Sequence, residues 1–340
     1  MATLADLLRS GYTPPTESPM ADPIKQHIKS LPQKLQTNTA EQMALLGQAF
    51  PGNTYESMMT EGDPKAMAEL AMQVPTVGMT TKLDKIGQNL QNRLNNQYSD
   101  LVNEYSNLAE SRGGKVLNTD IARELSPEYA KNRTLSANVH EPASAFVKQL
   151  YADKLAQPAK PNSTVLFTGG GTGAGKTTAL ENVFPNLSSQ VEMIYDTNLN
   201  KLDSATKKIN QALEAGRNVN IAYVYRDPVE SLTEGALSRA ERMKKELGSG
   251  RTVPIEEHLK THVGVREVIP QLMEIYKNDP RVSIGIINNS LGKGKAVPSS
   301  LENLPSFNAN EMGAKLRQTL EEQYKLGKIS KETYEGTLGK

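Results

Sequence analysis

Residues 170–177 read Gly-Gly-Thr-Gly-Ala-Gly-Lys-Thr, a full G-x-x-x-x-G-K-T match, and few octapeptides constrain a fold as tightly. Residues without Cβ let successive backbone N–H groups curl around phosphate oxygens, and a helix starting behind them adds the positive end of its dipole. Such a loop works only between a strand and a helix. Thr164-Val-Leu-Phe-Thr168 supplies a buried strand before it, and Thr178 to Phe184 reads as the helix after it. The motif assigns phosphate binding to Gly170, Gly171, Thr172, Gly173, Ala174, Gly175, Lys176, Thr177 and Thr178. Lys176 is expected on the β- and γ-phosphates and the Thr177 hydroxyl on magnesium, so ATP and Mg2+ are the expected ligands.

The surrounding chain alternates short apolar runs with helical patterns, the texture of an α/β fold. Val116-Leu117, Val191–Tyr195, Val219–Tyr225 and Val282–Ile287 join the strand at 164–168 in a parallel sheet of about five strands. Ala143–Leu155 and Asp203–Ala215 read as helices between them, the second stopped by Gly216. Upstream, Ile86, Leu90, Leu94, Tyr98, Leu101, Tyr105 and Leu108 recur every three or four residues and predict one helix of about 27 residues over 82–110, ended by Gly113-Gly114. The expected plan is a proline-rich flexible arm at 1–35, a helical N-terminal region at 36–110 built of short pieces before that helix, a nucleotide-binding domain at 111–306 and a peripheral helical hairpin as the C-terminal tail at 307–340. The fold class is thus α/β, a P-loop kinase-like parallel sheet flanked by helices and preceded by a mostly helical region.

Composition narrows the function classes. With 340 residues the chain can bury a sizeable core without staples, and it has no cysteine, which excludes disulfides, thiolate metal sites and a cysteine nucleophile. No run of 18 apolar residues occurs and the first residues lack a signal-peptide pattern, so a cytoplasmic protein away from membranes is expected. Residues 1–110 carry 8 Lys+Arg against 12 Asp+Glu, and the remainder 31 against 26, so −4 and +5 sum to the net +1. Neither part is basic enough for nucleic-acid binding.

A phosphate loop alone gives nucleotide binding rather than function. A motor ATPase needs sensor elements and a GTPase a guanine-specifying N-K-x-D, and the chain is read as neither. A small-molecule kinase needs a group on the acceptor hydroxyl, cations on the transferring phosphoryl group, and a lid. Asp196, at the end of the strand 191–195, is placed for the magnesium water shell, with a buried helix cap as the plain alternative. Arg239 and Arg242 on a helix, and Arg251 in the glycine-rich stretch 248–254, suit a lid over ATP; taken singly, solvated surface arginines explain them as well.

Several further segments carry a resemblance. Residues 118–129 contain Asn118-Thr-Asp120 and Ser-Pro127-Glu128-Tyr129, followed by His140-Glu141-Pro-Ala-Ser144. With the P-loop, Asp196-Thr197, Leu237-Ser-Arg239, Gly250-Arg251-Thr-Val-Pro254 and Asn288-Asn289-Ser290, they make residues 112–292 resemble zeta-toxin kinases. The order departs from that family: the aspartate and H-E-x-A-S segments precede the P-loop here, as in a permuted domain. The resemblance implies transfer of the ATP γ-phosphate to a hydroxyl of a UDP-activated N-acetyl amino sugar. It makes Asp120, Lys176, Arg239 and Arg251 catalytic, Asp120, Glu141, Ser144 and Thr197 substrate-binding, and Thr177 and Asp196 the magnesium residues. It also implies inhibition by a helical antitoxin, a part that the N-terminal helices could play in cis.

Other readings stay open. Asp120 could instead cap the helix that starts at Ile121. His140 reads as a helix-start residue, and His258 and His262 share a helix face at i, i+4 without a third metal ligand. The acceptor could be another small hydroxyl compound, such as an antibiotic or nucleoside. From a different class, the chain could be an ATP-binding switch without an acceptor.

Overall fold

The computed structural model describes residues 83–186, 190–292 and 294–339; the expected arm at 1–35 and the short helical pieces at 36–80 lie outside the described residues. The apolar pattern at 82–110 forms two helices, α1 (Lys85–Asn96) and α2 (Tyr98–Asn107), parted at Gln97, where φ is −137°. The single helix expected there is therefore corrected. Asn95 and Asn96 have low helix propensity, and the Asn96 amide bonds back to the Asn92 carbonyl at 2.9 Å. The apolar face runs on across the break because Leu90, Leu94, Leu101 and Tyr105 all bury on the same core.

The sheet has six strands: β1 (Val116–Leu117), β2 (Thr164–Gly169), β3 (Met193–Asp196), β4 (Asn218–Tyr225), β5 (Val282–Asn288) and β6 (Val297–Ser299), in the order β1-β3-β2-β4-β5-β6. The first five are parallel and β6 adds antiparallel to β5. These five are the strands read from the sequence. The sequence pattern does not reveal β6, because a three-residue edge strand centred on Pro298 leaves almost no signal. The strand that precedes the P-loop in the chain adds outside β3, with Leu117 opposite Tyr195, so the unusual segment order still builds one continuous sheet.

The central strands β2, β3 and β4 bury both faces, as strands inside a parallel sheet do. Along β2, Val165 and Phe167 join the large core with α1, α2 and α3 (His140–Ala156), while Leu166 joins Ala179 and Leu180 on the other side. Those two residues belong to α4 (Lys176–Val183), the helix behind the glycine loop. Tyr151 of α3 meets Tyr195 edge-on at 4.9 Å, which fixes α3 across β2 and β3. The chain continues through α5 (Leu202–Glu214), β4, a wide π-helical turn at Ser231–Leu237, α6 (Ser238–Leu247) and α7 (Ile255–Ile275). Arg217, just before β4, is fully buried and donates to the carbonyls of Lys154, Leu155, Ala215 and Gln157 and to Glu192, closing the ends of α3 and α5.

The C-terminal hairpin α8 (Ala309–Lys325) and α9 (Lys331–Leu338) forms as expected, but it is not peripheral. Met312, Leu316, Leu320 and Ile329 build a third apolar cluster with Leu232, Leu237 and Ile255. Ser330 receives its own anchor, since its backbone N–H donates to Glu241 of α6 at 2.8 Å. Among the described residues, no helix is long and apolar enough to cross a membrane.

Candidate active site

All five parallel strands end at one edge of the sheet, and the loops and helix starts beyond their carboxyl ends assemble the site. After β2 comes the glycine loop. Gly173 has φ 78° and its Cβ position lies 2.2 Å from the Ser231 carbonyl oxygen, so no side chain fits there. Opposite it, a Cβ on Gly235 would lie 2.3 Å from the Gly173 carbonyl oxygen. The π-helical turn, a wide form that favours functional sites, is what lets the two backbones touch. Asn289, just past β5, supports the loop from the other side by donating to the Ala174 carbonyl at 2.8 Å.

The helix α7 underlies the loop. Thr261 accepts from the Thr172 N–H at 3.0 Å, His262 Nε2 meets the Thr172 carbonyl at 3.1 Å, and His258 Nε2 meets the Pro228 carbonyl at 2.9 Å. His258 and His262, the pair at metal-like spacing, thus brace the phosphate loop and the start of the π turn. Burial pulls both rings below the ordinary histidine value, His262 to about 3, so both stay neutral at pH 7. Among the described residues no group of three His, Cys, Asp or Glu could hold a metal ion.

Lys176 opens α4. Its Nζ lies 3.2 Å from Asn198 Oδ1 and 3.7 Å from Asp196 Oδ1. Asp196 ends β3 and caps no helix: it accepts from the Thr168 hydroxyl and, at 2.5 Å, from the Asn118 amide. Asn118 comes from the end of β1, so this bond ties the segment ahead of the P-loop to the lysine of the P-loop itself. Thr177 and Thr178 are both exposed on the first turn of α4. The donors fit a magnesium nucleotide. The glycine positions admit no Cβ, the first-turn N–H groups of α4 have no helical acceptor, and the Thr177 hydroxyl and Asp196 carboxylate are hard oxygen ligands near them.

Beside this lies an arginine cluster around one carboxylate. Asn118, and not Asp120, caps the short helix Thr119–Ala122, because its side chain accepts from the Asp120 N–H at 2.6 Å. The Asp120 carboxylate is left to face Arg251, which pairs with Oδ2, and Arg123, whose Nη1 lies 3.1 Å from Oδ1. Burial raises the Asp120 pKa, but the guanidiniums of Arg251, Arg123 and Arg239 outweigh it, and the net effect holds the group well below the usual carboxylate range. The Nε atoms of Arg123, Arg239 and Arg251 are buried without a hydrogen-bond partner. Three cations against one carboxylate make a site that favours further negative charge.

Glu141 and His140 open α3 beside this cluster; His140 Nδ1 accepts from Arg123 Nη2 at 2.7 Å. Burial and Arg123 lower the His140 pKa. Ser144 lies one turn along α3, half-buried, and Thr197 follows Asp196 at the rim of a small cavity. Arg242 lies further along α6. Sequence reasoning assigned no role to Arg123, Asn118, Asn198 or Asn289. The signal for Arg123 was its i, i+3 spacing from Asp120. It also set GTPases aside for want of N-K-x-D, yet Asn200-Lys201-Leu202-Asp203 spells that pattern. In the structure the tetrapeptide starts α5, with Lys201 at the cap and Asp203 as the exposed first-turn acid, so a helix start accounts for it.

The family profile described as Zeta toxin matches residues 187–290. That stretch, about a third of the chain, is similar to the zeta toxins. The matched stretch holds Asp196, Arg239, Arg251 and Asn289, while the P-loop and Asp120 lie before it. Similar solved structures include the AvrRxo1-ORF1:-ORF2 complex, at 15% identity over 76% of this chain and 94% of that one, with a TM-score of 0.39. Another is from the PezAT chromosomal toxin–antitoxin system of Streptococcus pneumoniae, at 12% identity over 78% and 98%, with a TM-score of 0.33. No curated protein matches the chain.

Proposed function

We propose that this zeta-toxin relative is a phosphotransferase that moves the γ-phosphoryl group of ATP to a hydroxyl of a small acceptor, a UDP-activated N-acetyl amino sugar. The observation that carries the reading is the meeting, at one sheet edge, of a P-loop lysine paired with Asp196 and a carboxylate ringed by three guanidiniums. In this assignment the glycine loop and Lys176 hold the donor phosphates. Thr177 and Asp196 hold magnesium, which neutralises phosphate charge. Arg239 and Arg251 stabilise charge on the transferring group, and Asp120 orients the acceptor hydroxyl. Phosphoryl transfer rests mostly on placement and electrostatics, so a carboxylate with a depressed pKa serves for orientation. Glu141, Ser144 and Thr197 line the acceptor side.

The test is incubation with magnesium, ATP and a panel of hydroxyl acceptors, with product masses read and Lys176→Ala as control. One added phosphate on a UDP-amino sugar, absent in the control, supports the reading; a phosphorylated antibiotic or nucleoside instead would move the acceptor assignment. The family also suggests a helical antitoxin partner, acting in trans or through the N-terminal region in cis.

A further inference from the structure

Just beyond Asp196, a cavity of about 50 Å³ is lined by Thr197, Leu199, Asn200, Lys201, Ser204 and Lys208. That is room for several water-sized groups or one tetrahedral oxyanion. Leu199 forms part of the wall with φ 53°, a left-handed conformation unfavourable for a bulky residue, and it is buried against Gly169. The Nζ of Lys208 has neutral partners: the Ser204 carbonyl at 3.2 Å, the Ser204 hydroxyl at 2.5 Å and the face of the Tyr195 ring at 5.6 Å. The charges that act on it are those of Lys148 and Lys207, both of its own sign. Lys148 comes from α3, one turn past Ser144, and Tyr151 on the next turn donates to the Lys208 carbonyl at 2.8 Å, which locks α3 to α5 at this height. Burial, then these two lysines, pulls Lys208 down to about 8. Lys148 does not line the cavity and is exposed on α3, so an anion at the α3 side of the cavity mouth would stand between its ammonium group and that of Lys208 and reverse the sign of their repulsion.

We propose that Lys148 and Lys208 form an anion subsite in the crevice between α3 and α5, and that it receives a phosphoryl oxyanion of the acceptor. The side of the sheet identifies the occupant. In the order β1-β3-β2-β4, the cavity follows β3, toward β1 and Asp120, whereas the donor phosphates belong to the loop between β2 and α4. The ligand class is therefore a sugar phosphate or nucleoside diphosphate whose hydroxyl reaches Asp120 while its phosphate reaches the lysines. This rests on the acceptor side assigned under the proposed function, and its test needs no turnover.

The full chain is treated with pyridoxal 5′-phosphate or with 5′-deoxypyridoxal, which lacks the phosphate and, having no 5′-hydroxyl, keeps its aldehyde free. Either aldehyde condenses with a neutral lysine amine, releasing water, and borohydride reduces the imine so that peptide masses locate it. Lys208 is expected to label at least about tenfold faster with the phosphate-bearing reagent, a preference of about 1.4 kcal/mol. Uridine diphosphate should suppress that labelling, magnesium ATP should not, and Lys148→Met should remove the preference. Equal labelling by the two aldehydes, protection by ATP in place of uridine diphosphate, or an unchanged preference in Lys148→Met overturns the proposal. A phosphate preference in a chain that phosphorylates no acceptor would keep the subsite and reject the kinase. Transfer to an acceptor without that preference would do the reverse.

Discussion

Asp120 is gripped on both oxygens by guanidiniums, and that decides how it can act. A carboxylate held below its usual range stays ionised through mildly acidic pH and is a weak proton acceptor, so in the proposed reaction its part is orientation. Asp120→Asn should lower acceptor phosphorylation by about 100-fold or more, a loss in kcat. ATP affinity by titration calorimetry should stay within about threefold, under 1 kcal/mol. A large loss of ATP binding would instead place Asp120 on the donor side. Histidines make a second residue-scale prediction. His140, His258 and His262 are held neutral by burial, so the unfolded chain binds more protons below its histidine pKa near 6.5, and stability falls as pH drops. For His262 the loss extends from about pH 6.5 down to about 3. Melting temperatures between pH 7 and 4 should fall less steeply in His262→Gln; an unchanged slope would remove His262 from the linkage. At this scale the sequence reveals Lys176 at once, because its motif is contiguous. Arg123 and Asn118 stay hidden because their partners, Asp120 with Arg251 and Asp196, come together only through the fold, and Asn198 escapes notice beside a more obvious aspartate.

Among the elements, the closest tolerance is between the glycine loop and the π turn. Gly235→Val puts two methyls where the Gly173 carbonyl lies, and the loop must move. Nucleotide affinity should fall at least about tenfold, and because Leu232 and Leu237 of the turn are buried the melting temperature should fall too; an unchanged nucleotide affinity would contradict the coupling of turn and loop. The hairpin α8–α9 makes a stability prediction of the opposite kind. Leu316 and Leu320 are fully buried, so each change to Ala should cost about 2–5 kcal/mol in chemical denaturation. A tail that merely rested on the surface would lose almost nothing. Hydrophobic period located α1 and α2 but could not show the break at Gln97, because period reports which face is buried and not whether the backbone is continuous. The π turn was equally invisible: the residue types of Ser231–Leu237 carry no pattern that separates a π-helical turn from an α-helical one. The helical hairpin was legible, and its burial was not, since Leu316 and Leu320 look alike on a docked or a free amphipathic helix.

For the whole molecule, chain order and spatial order differ. A two-residue strand placed before the P-loop closes the sheet edge beyond β3 and carries Asp120 to the same side as Asp196, so a segment early in the chain still reaches the site. The five parallel strands were readable because each is a short apolar run, while their order could not be read from the chain, since pairing is decided by crossovers between them. The N-terminal region supplies the prediction at this scale: if it restrains the site in cis, removing residues 1–80 raises ATP turnover, and unchanged turnover rejects that role. The most direct measurement is the mass of products formed from ATP, or GTP in a parallel reaction, with magnesium and UDP-N-acetyl amino sugars. The account predicts one added phosphate on the sugar with ATP as the preferred donor, lost in Lys176→Ala and in Asp120→Asn. Nucleotide binding with no phosphorylated acceptor across sugars, nucleosides and antibiotics, or transfer that survives in Asp120→Asn, would contradict it.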